Sequence, residues 1–224
     1  MDKPQHFIEI ACFDKHGALA AAQAGAHRLE LCSNKSLGGI SPDLNWVSEV
    51  IQETNIPIYL MVRPRGGDFF YSELEIKEME NYLIEAQNLA ISGFVFGCLQ
   101  KDFTLNLSHN QRLIDLANGK PCTLHKAFDE TKFPLQTMED AINIGFKNIL
   151  TSGCAANALE GLPIISKLIV KACNRINIMP GGNIRSSNLA HIKNISGASW
   201  FHSAALIGQQ NIPNADEIKA LLNT

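Results

Sequence analysis

An arginine-rich turn, Arg63-Pro64-Arg65-Gly66-Gly67-Asp68, directly follows the apolar run Ile58-Tyr59-Leu60-Met61-Val62. Pro57 and Pro64 bound the run, which predicts a short buried strand. Arginine is always charged and is rarely buried without a partner. A charged cluster at the carboxyl end of a buried strand therefore indicates that it faces an anion or a carboxylate.

Other predicted strands also carry polar side chains. Alternate residues of a barrel strand face the outer helices or the barrel interior. If the more apolar alternate set of each strand faces the helices, the other set points inward. That set is Glu9, Ala11, Glu30, Cys32, Met61, Arg63, Thr123, His125, Thr151, Met179 and His202. The candidate catalytic residues among them are Glu9, Glu30, Arg63, His125 and His202. We expect Arg63 to pair with Glu9 or Glu30, because an unpaired buried charge costs on the order of several kcal/mol. One buried pair of this kind is more often structural, but the five residues together favour a functional pocket.

Strand and helix patterns alternate along the whole chain. The predicted strands are Phe7–Ala11, Arg28–Leu31, Ile58–Val62, Gly93–Phe96, Pro121–His125, Asn148–Thr151, Arg175–Met179 and Ser199–Ser203. The predicted helices are Lys15–Ala24, Pro42–Glu53, Ser72–Ile91, His109–Ala117, Leu135–Ile144, Ala156–Ala172, Ser187–Asn194 and Ala215–Leu222. This alternation predicts an α/β fold, a TIM-type (β/α)8 barrel with a closed parallel sheet and outer helices, formed by residues 1–224 as one domain.

Local signals mark several element boundaries. Ser41-Pro42 is typical of an N-cap followed by proline, and Ser72 with Glu75 forms a capping-box pattern. Glycines are expected to end the helices before strands two, four, six and eight, in the left-handed conformation. These glycines are Gly25, Gly93, Gly145 and Gly197.

Composition limits the class of protein. The chain has 224 residues, 46% of them hydrophobic and 18% charged, which argues against disorder. The net charge of −3 lacks the excess of positive charge that is typical of nucleic-acid-binding proteins. No apolar run approaches the ~20 residues of a membrane helix. The first six residues carry no signal-peptide core. We therefore expect a cytoplasmic protein with free thiols, without nucleic-acid or membrane partners.

A second polar region follows the last predicted strands. Glycine amides and a helix start at this point of a barrel often bind phosphate, although a Gly-Gly turn can also serve only to bend the chain. The predicted anion-binding residues are Arg65, Lys126, Thr151, Ser152, Gly153, Gly181, Gly182, Asn183 and Ser203, with the helix start at Ser187.

The thiols raise the separate question of a metal site. Cu(I) prefers soft Cys and Met ligands, and Cys32 and Cys98 lie at predicted strand ends. Neither cysteine has motif spacing, and such residues are more often part of a core. The hard, charged pocket suits a carboxylate, a phosphate or a divalent cation such as Zn²⁺ or Mn²⁺ better than Cu(I).

Several strings in this chain resemble a known family, that of CutC, named for copper homeostasis. They are Arg28-Leu29-Glu30-Leu31-Cys32, Gly38-Gly39-Ile40-Ser41-Pro42, Arg63-Pro64-Arg65-Gly66-Gly67-Asp68-Phe69, His125-Lys126-Ala127-Phe128-Asp129, Leu150-Thr151-Ser152-Gly153 and Met179-Pro180-Gly181-Gly182. The resemblance covers nearly the whole chain. It implies a cytoplasmic TIM-type barrel, a homo-oligomer such as a dimer or tetramer, and a role in copper homeostasis.

The chain departs from the family pattern at three positions. Lys126 stands where the family commonly has arginine, and Asn183 replaces a glycine. Ala11 stands where members often carry cysteine, so a two-cysteine copper site is in doubt. We expect any copper to bind weakly, through Cys32 with a methionine or Cys98.

Two functions stay open from the sequence. The first is a copper homeostasis protein of the CutC family that binds intracellular copper ions. The second is a barrel enzyme acting on a small anionic metabolite, bearing a phosphate or a carboxylate, at the strand carboxyl ends.

Overall fold

The computed structural model describes residues 6–208 and 211–224. The prediction about a signal peptide concerns residues 1–5, which lie outside the described residues, as do residues 209 and 210 of the predicted 1–224 domain. Within it, eight strands alternate with eight α-helices, which confirms the predicted fold class. The strands are β1 Phe7–Cys12, β2 Arg28–Leu31, β3 Ile58–Met61, β4 Gly93–Phe96, β5 Cys122–Leu124, β6 Asn148–Thr151, β7 Asn177–Pro180 and β8 Trp200–Ser203. The helices are α1 Lys15–Gln23, α2 Leu44–Glu53, α3 Glu73–Ala86, α4 Leu107–Leu116, α5 Pro134–Ile144, α6 Leu162–Ala172, α7 Ser186–Ser196 and α8 Ala215–Leu222.

The sheet runs in the order β7-β6-β5-β4-β3-β2-β1-β8, and every ladder in it is parallel. β7 and β8 lie side by side, so the barrel is nearly closed. The register around β1 places Glu9 opposite Arg28 of β2 and opposite His202 of β8. Because registered residues of neighbouring parallel strands point to the same face, these three side chains meet inside the barrel.

Alternation along the strands divides the apolar residues into two layers. The larger layer fills the space between sheet and helices, and includes Ile10, Leu31 and Phe96. A small inner cluster holds Cys32, Tyr59, Met61 and Val95, packed against Phe13. The barrel interior is therefore only partly apolar, and its remaining positions are taken by the polar residues described below.

Several boundaries differ from the sequence prediction. The capping box of Ser72 and Glu75 is confirmed, but Asp43, and not Ser41, caps α2. The helix predicted from residue 156 begins at Leu162, because the preceding residues form bends and turns that bring Gly161 against the Ser152 carbonyl. Two short 3₁₀ helices, Lys35–Leu37 and Lys126–Glu130, were not predicted.

The expected glycine pattern holds at three of its four positions. The glycines before β2, β6 and β8 have φ values of 96°, 107° and 71°. Gly93 is instead the first residue of β4, so the prediction of a helix end there is wrong. A Cβ atom at Gly93 would lie 2.6 Å from the Pro121 carbonyl oxygen and 2.7 Å from the Tyr59 ring, so both the backbone and the ring need the space that this glycine leaves.

The turn between β6 and α6 depends on a close approach of two backbone segments. A Cβ atom on Gly161 would lie 1.8 Å from the carbonyl oxygen of Ser152, although Gly161 has an ordinary φ of −81°. No flexible side chain can relieve this contact, because the obstructing atom belongs to the backbone.

We expect Gly161→Ala to lower the free energy of unfolding by at least about 3 kcal/mol, because overpacking must move the backbone here. Gly197→Ala is the matched control: its Cβ would meet no atom within 4 Å, and only its left-handed conformation, at about 1–2 kcal/mol, opposes the change. Urea denaturation measures both variants. Equal losses in the two would contradict the close-approach explanation.

Candidate functional site

A buried ion pair forms the floor of the barrel interior. Arg28 Nε donates to Glu9 Oε2 at 2.5 Å, and the Glu9 carboxylate has no exposed surface. The Arg28 guanidinium carbon lies 4.0 Å from the ring centre of Tyr59 and 4.1 Å from that of Trp200. This cation is thus balanced by one carboxylate and by the faces of two aromatic rings.

The prediction that Arg63 pairs with Glu9 or Glu30 is wrong, because Arg28 takes that place. Arg28 precedes Glu30 by two residues on the same strand, so it shares the inward parity that was assigned to Glu30. That spacing was a usable signal in the sequence. Arg63 lies just beyond β3 and donates to backbone carbonyls instead, those of Leu37, Gly39 and Gly67.

His202 joins the floor from β8. Its Nδ1 lies 2.7 Å from Glu9 Oε1, and its Nε2 lies 3.9 Å from Glu30 Oε2. Burial disfavours the imidazolium, but the Glu30 and Glu9 carboxylates outweigh it and raise the pKa of His202. Burial opposes ionisation of Glu9 too, yet Arg28 and His202 together lower the pKa of Glu9, which is therefore a carboxylate.

Glu30 and Cys32 follow Arg28 along the inner face of the barrel. The Cys32 thiol donates to Glu30 Oε2 at 3.4 Å, while Glu30 Oε1 is buried and has no hydrogen-bond partner among the described residues. Burial raises the pKa of Glu30. Burial and the nearby Glu30 raise the pKa of Cys32 as well, so the sulfur is a protonated thiol at neutral pH.

His125 follows β5 and is held in one tautomer. The backbone N–H of Ala127 donates to His125 Nδ1 at 3.2 Å, so this nitrogen carries no proton. Burial and the Arg63 charge lower the pKa of His125 to about 3. The ring is therefore neutral at pH 7 with its proton on Nε2, which is buried and has no partner in the described part of the chain.

These side chains line one cavity of about 150 Å³. Exposed Gly38 and Lys126 stand at its mouth. Of the five candidate catalytic residues, four line the cavity, and Glu9 lies against His202. The lining residues are Ala11, Phe13, Glu30, Cys32, Gly38, Met61, Arg63, Phe69, His125, Lys126, Leu150, His202 and Ala204.

Part of this cavity has the geometry of a cation site. Ligand atoms of Glu9, Glu30 and His202 lie within 4.8 Å of one another. The predicted thiol ligands Cys32 and Cys98, however, are separated by the sheet. Cys32 belongs to the inner cluster and Cys98 to the layer beneath the helices. The prediction that Cys98 joins Cys32 at a metal is wrong, because Cys98 has the outward parity of Phe96.

The predicted anion rim after β6 is filled by a carboxylate of the chain itself. Asp129 accepts hydrogen bonds from the Thr151 hydroxyl, from the Ser152 amide at 2.9 Å and hydroxyl at 2.8 Å, and from the Cys154 amide at 3.0 Å. Thr151 was also predicted to point inward. Leu150 lines the cavity instead. The prediction for β6 is therefore wrong, because it assumed that the apolar Leu150 faces the helices.

Two of the other predicted rim donors, the Gly181 amide and the Ser203 hydroxyl, are likewise used within the chain. The Gly181 amide donates to Thr151, the Gly182 carbonyl accepts from Ala158, and the Ser203 hydroxyl donates to Ile184, while Asn183 has a φ of 61°. The start of α7 is covered by the carboxylate of Glu217, which accepts from the amide and hydroxyl of Ser186.

The charged rim residues Arg65 and Lys126 face carboxylates of the chain. Arg65 bonds to Glu75 and to Asp68, and Asp68 also accepts from the Phe70 amide. Lys126 Nζ lies 3.8 Å from Asp129. Asp129 and Glu217 were not among the predicted site residues, although Asp129 stands in the string His125-Lys126-Ala127-Phe128-Asp129.

Comparison with known proteins shows extensive similarity to one family. The model of the CutC family matches residues 6–207. A copper homeostasis protein cutC homolog of Homo sapiens is 41% identical over 200 residues, which cover 89% of this chain and 73% of that protein. A solved structure described as CutC from Streptococcus agalactiae has a TM-score of 0.85 and 28% identity, and covers 89% of this chain and 99% of the other. Phosphoribosyl anthranilate isomerase from Thermococcus kodakaraensis, at 14% identity and a TM-score of 0.64 with 97% of each chain covered, shares the fold alone.

No helix within the described residues has both the length and the apolar character needed to cross a membrane.

We expect Arg28→Met to lower the free energy of unfolding by about 3–5 kcal/mol, because it leaves the Glu9 carboxylate buried without its cation. The double variant Glu9→Gln with Arg28→Met should recover part of this loss, since it removes both charges. Urea denaturation at neutral pH measures both. A double variant as unstable as the sum of its single substitutions would contradict the pairing.

The two cavity histidines should respond to pH in opposite ways. His202 is expected to titrate with a pKa above 6.5, and the stability gained from its imidazolium is lost as pH rises through that pKa. His125 should stay neutral down to a pKa of about 3, so folding loses stability as pH falls below the unfolded value of ~6.5. NMR titration of the imidazole carbons, assigned with His202→Gln and His125→Asn, distinguishes them. A His125 signal that moves between pH 5 and 8 would contradict this assignment.

Proposed function

Because this chain belongs to the CutC family, we propose that it acts in copper homeostasis by binding a copper ion in the barrel cavity. The observation that supports this location is the convergence of Glu9, Glu30 and His202 within 4.8 Å, with the Cys32 thiol against Glu30. Borderline imidazole and soft sulfur ligands both suit copper.

The hydrogen bonds divide the roles of these residues. His202 Nδ1 is directed to Glu9, which leaves Nε2 as the nitrogen facing Glu30. A carboxylate that holds the far nitrogen of a ligating imidazole is the usual outer partner at metal sites. Glu9 would therefore orient His202, while His202, Glu30 and Cys32 would contact the ion.

Proton competition should make this binding weak near neutral pH. The Cys32 thiol has a raised pKa, and a metal-bound cysteine must lose its proton. Met61 lines the same cavity and could add a thioether contact without any proton cost. The site is thus unlike a preformed cluster of thiolates.

The resemblance also supports three broader proposals. The protein would be cytoplasmic, would assemble as a dimer or tetramer, and would form one domain over residues 1–224. The alternative of an enzyme acting on a small anionic metabolite is not favoured by the comparisons, in which the human relative is named for copper homeostasis.

Competition against a colorimetric Cu(I) chelator tests the copper proposal. We expect one ion per chain, with an affinity that rises by up to about tenfold per pH unit while one thiol proton is displaced. Cys32→Ser should weaken binding at least about tenfold.

Two matched cysteine variants serve as controls. Cys98→Ala removes a buried thiol on the outer side of the sheet, and Cys154→Ser removes an exposed one. Both should bind Cu(I) as the unmodified protein does. Tight stoichiometric binding that survives Cys32→Ser would place the copper site elsewhere.

A further inference from the structure

The proposed copper ligands are acceptor and sulfur atoms. The same cavity also has two hydrogen-bond donors without partners among the described residues. They are Arg63 Nε–H and His125 Nε2–H, two fully buried groups on side chains that line the cavity. We infer that they form a binding site for a small carboxylate-bearing molecule, whose oxygens accept from Arg63 and His125. This site goes beyond copper binding and does not depend on it.

Arg63 is a buried cation without a carboxylate partner. Its side chain is held by three backbone carbonyls through Nη1 and Nη2, at 3.0 Å, 3.1 Å and 2.7 Å. Nε has no hydrogen-bond partner among the described residues, and neither has the neighbouring Tyr71 hydroxyl. None of the ion pairs formed among residues 6–208 and 211–224 includes Arg63, although its charge partly offsets the burial that raises the pKa of Glu130. Buried charges are ordinarily paired, so a bound anion would supply the missing charge.

His125 is fixed as a donor toward the same cavity. Its Nδ1 accepts from the Ala127 amide, so the ring must keep its proton on Nε2. Arg63 and His125 both contact Phe69: the guanidinium carbon lies 4.7 Å from the ring centre, and the two ring centres are 4.8 Å apart. One aromatic ring thus supports both donors, which limits their freedom to find other partners.

A third unpartnered atom in the cavity indicates what else the ligand carries. Glu30 Oε1 is a buried oxygen without a hydrogen-bond partner in the described residues. A hydroxyl group on the ligand could donate to it. A small hydroxycarboxylate therefore satisfies an acceptor and two donors that the protein leaves open.

Size and the occupied rim argue for a carboxylate and against a phosphate ester. The cavity volume of about 150 Å³ admits only a molecule of a few heavy atoms. The hydroxyl and amide donors after β6, and the start of α7, are already engaged by Asp129 and Glu217. Two N–H donors can engage the two oxygen atoms of one carboxylate.

Glycolate is the probe for the test, with glycolamide as its uncharged analogue and inorganic phosphate as the competing anion. The unmodified protein without added metal is titrated by calorimetry and by ¹⁵N NMR of the imidazole nitrogens. We expect glycolate to shift the His125 Nε2 signal in the millimolar range. Glycolamide and phosphate should each bind at least about tenfold more weakly.

Two substitutions separate the site from general folding effects. His125→Asn can keep an oxygen acceptor for the Ala127 amide while removing the Nε2 donor, and should weaken glycolate binding about tenfold. Arg63→Gln should weaken it further. The exposed His191→Asn is the matched control and should change nothing.

Three results would overturn the inference. The first is a His125 Nε2 signal that does not move at 50 mM glycolate, about tenfold above the expected range. The second is equal affinity for glycolate and phosphate. The third is a folded His125→Asn variant that binds glycolate as tightly as the unmodified protein. Because Cys32→Ser leaves both donors in place, it should still bind glycolate. Loss of copper binding and loss of glycolate binding are therefore distinguishable.

Discussion

The buried carboxylate of Glu9 is the constraint on which the rest of the barrel interior depends. It lies between Arg28 and His202, its register neighbours on β2 and β8. Because both oxygens of Glu9 are used, Arg28 is neutralised and His202 is held with Nε2 toward Glu30. A change in the register of β1 by one residue would turn Glu9 toward the helices and would dismantle all of these contacts.

The cavity above this ion pair has two sides that differ in the atoms they offer to a ligand. One side offers acceptors and soft atoms, namely Glu30, Cys32 and His202 Nε2, and suits a cation. The other side offers donors, from Arg63 and His125, and suits an anion. Opposite charges bound in one small cavity attract each other, so occupancy of either side should strengthen binding at the other without being required for it.

The inner face of the barrel was largely predictable from alternation, and the pairing within it was not. The parity argument correctly placed Glu30, Arg63, His125 and His202 at one cavity. Alternation also places Arg28 on the inner face, but its pairing with Glu9 depends on the register between strands, which a pattern along one strand does not encode. It failed at β6, where the apolar Leu150 faces the cavity and the polar Thr151 meets Asp129.

The rim shows why a donor pattern alone does not identify a ligand. Helix starts and clusters of amides attract any anion, and the carboxylates of Asp129 and Glu217 are tethered beside them. A tethered group competes at a high effective concentration, so a free phosphate must displace it before it can bind. Unpartnered donors are the more specific signal, because leaving a buried N–H without an acceptor costs about 1–3 kcal/mol. Arg63 and His125, which line the cavity, each leave such a donor without an acceptor. An anion would therefore gain more binding free energy there than at the rim.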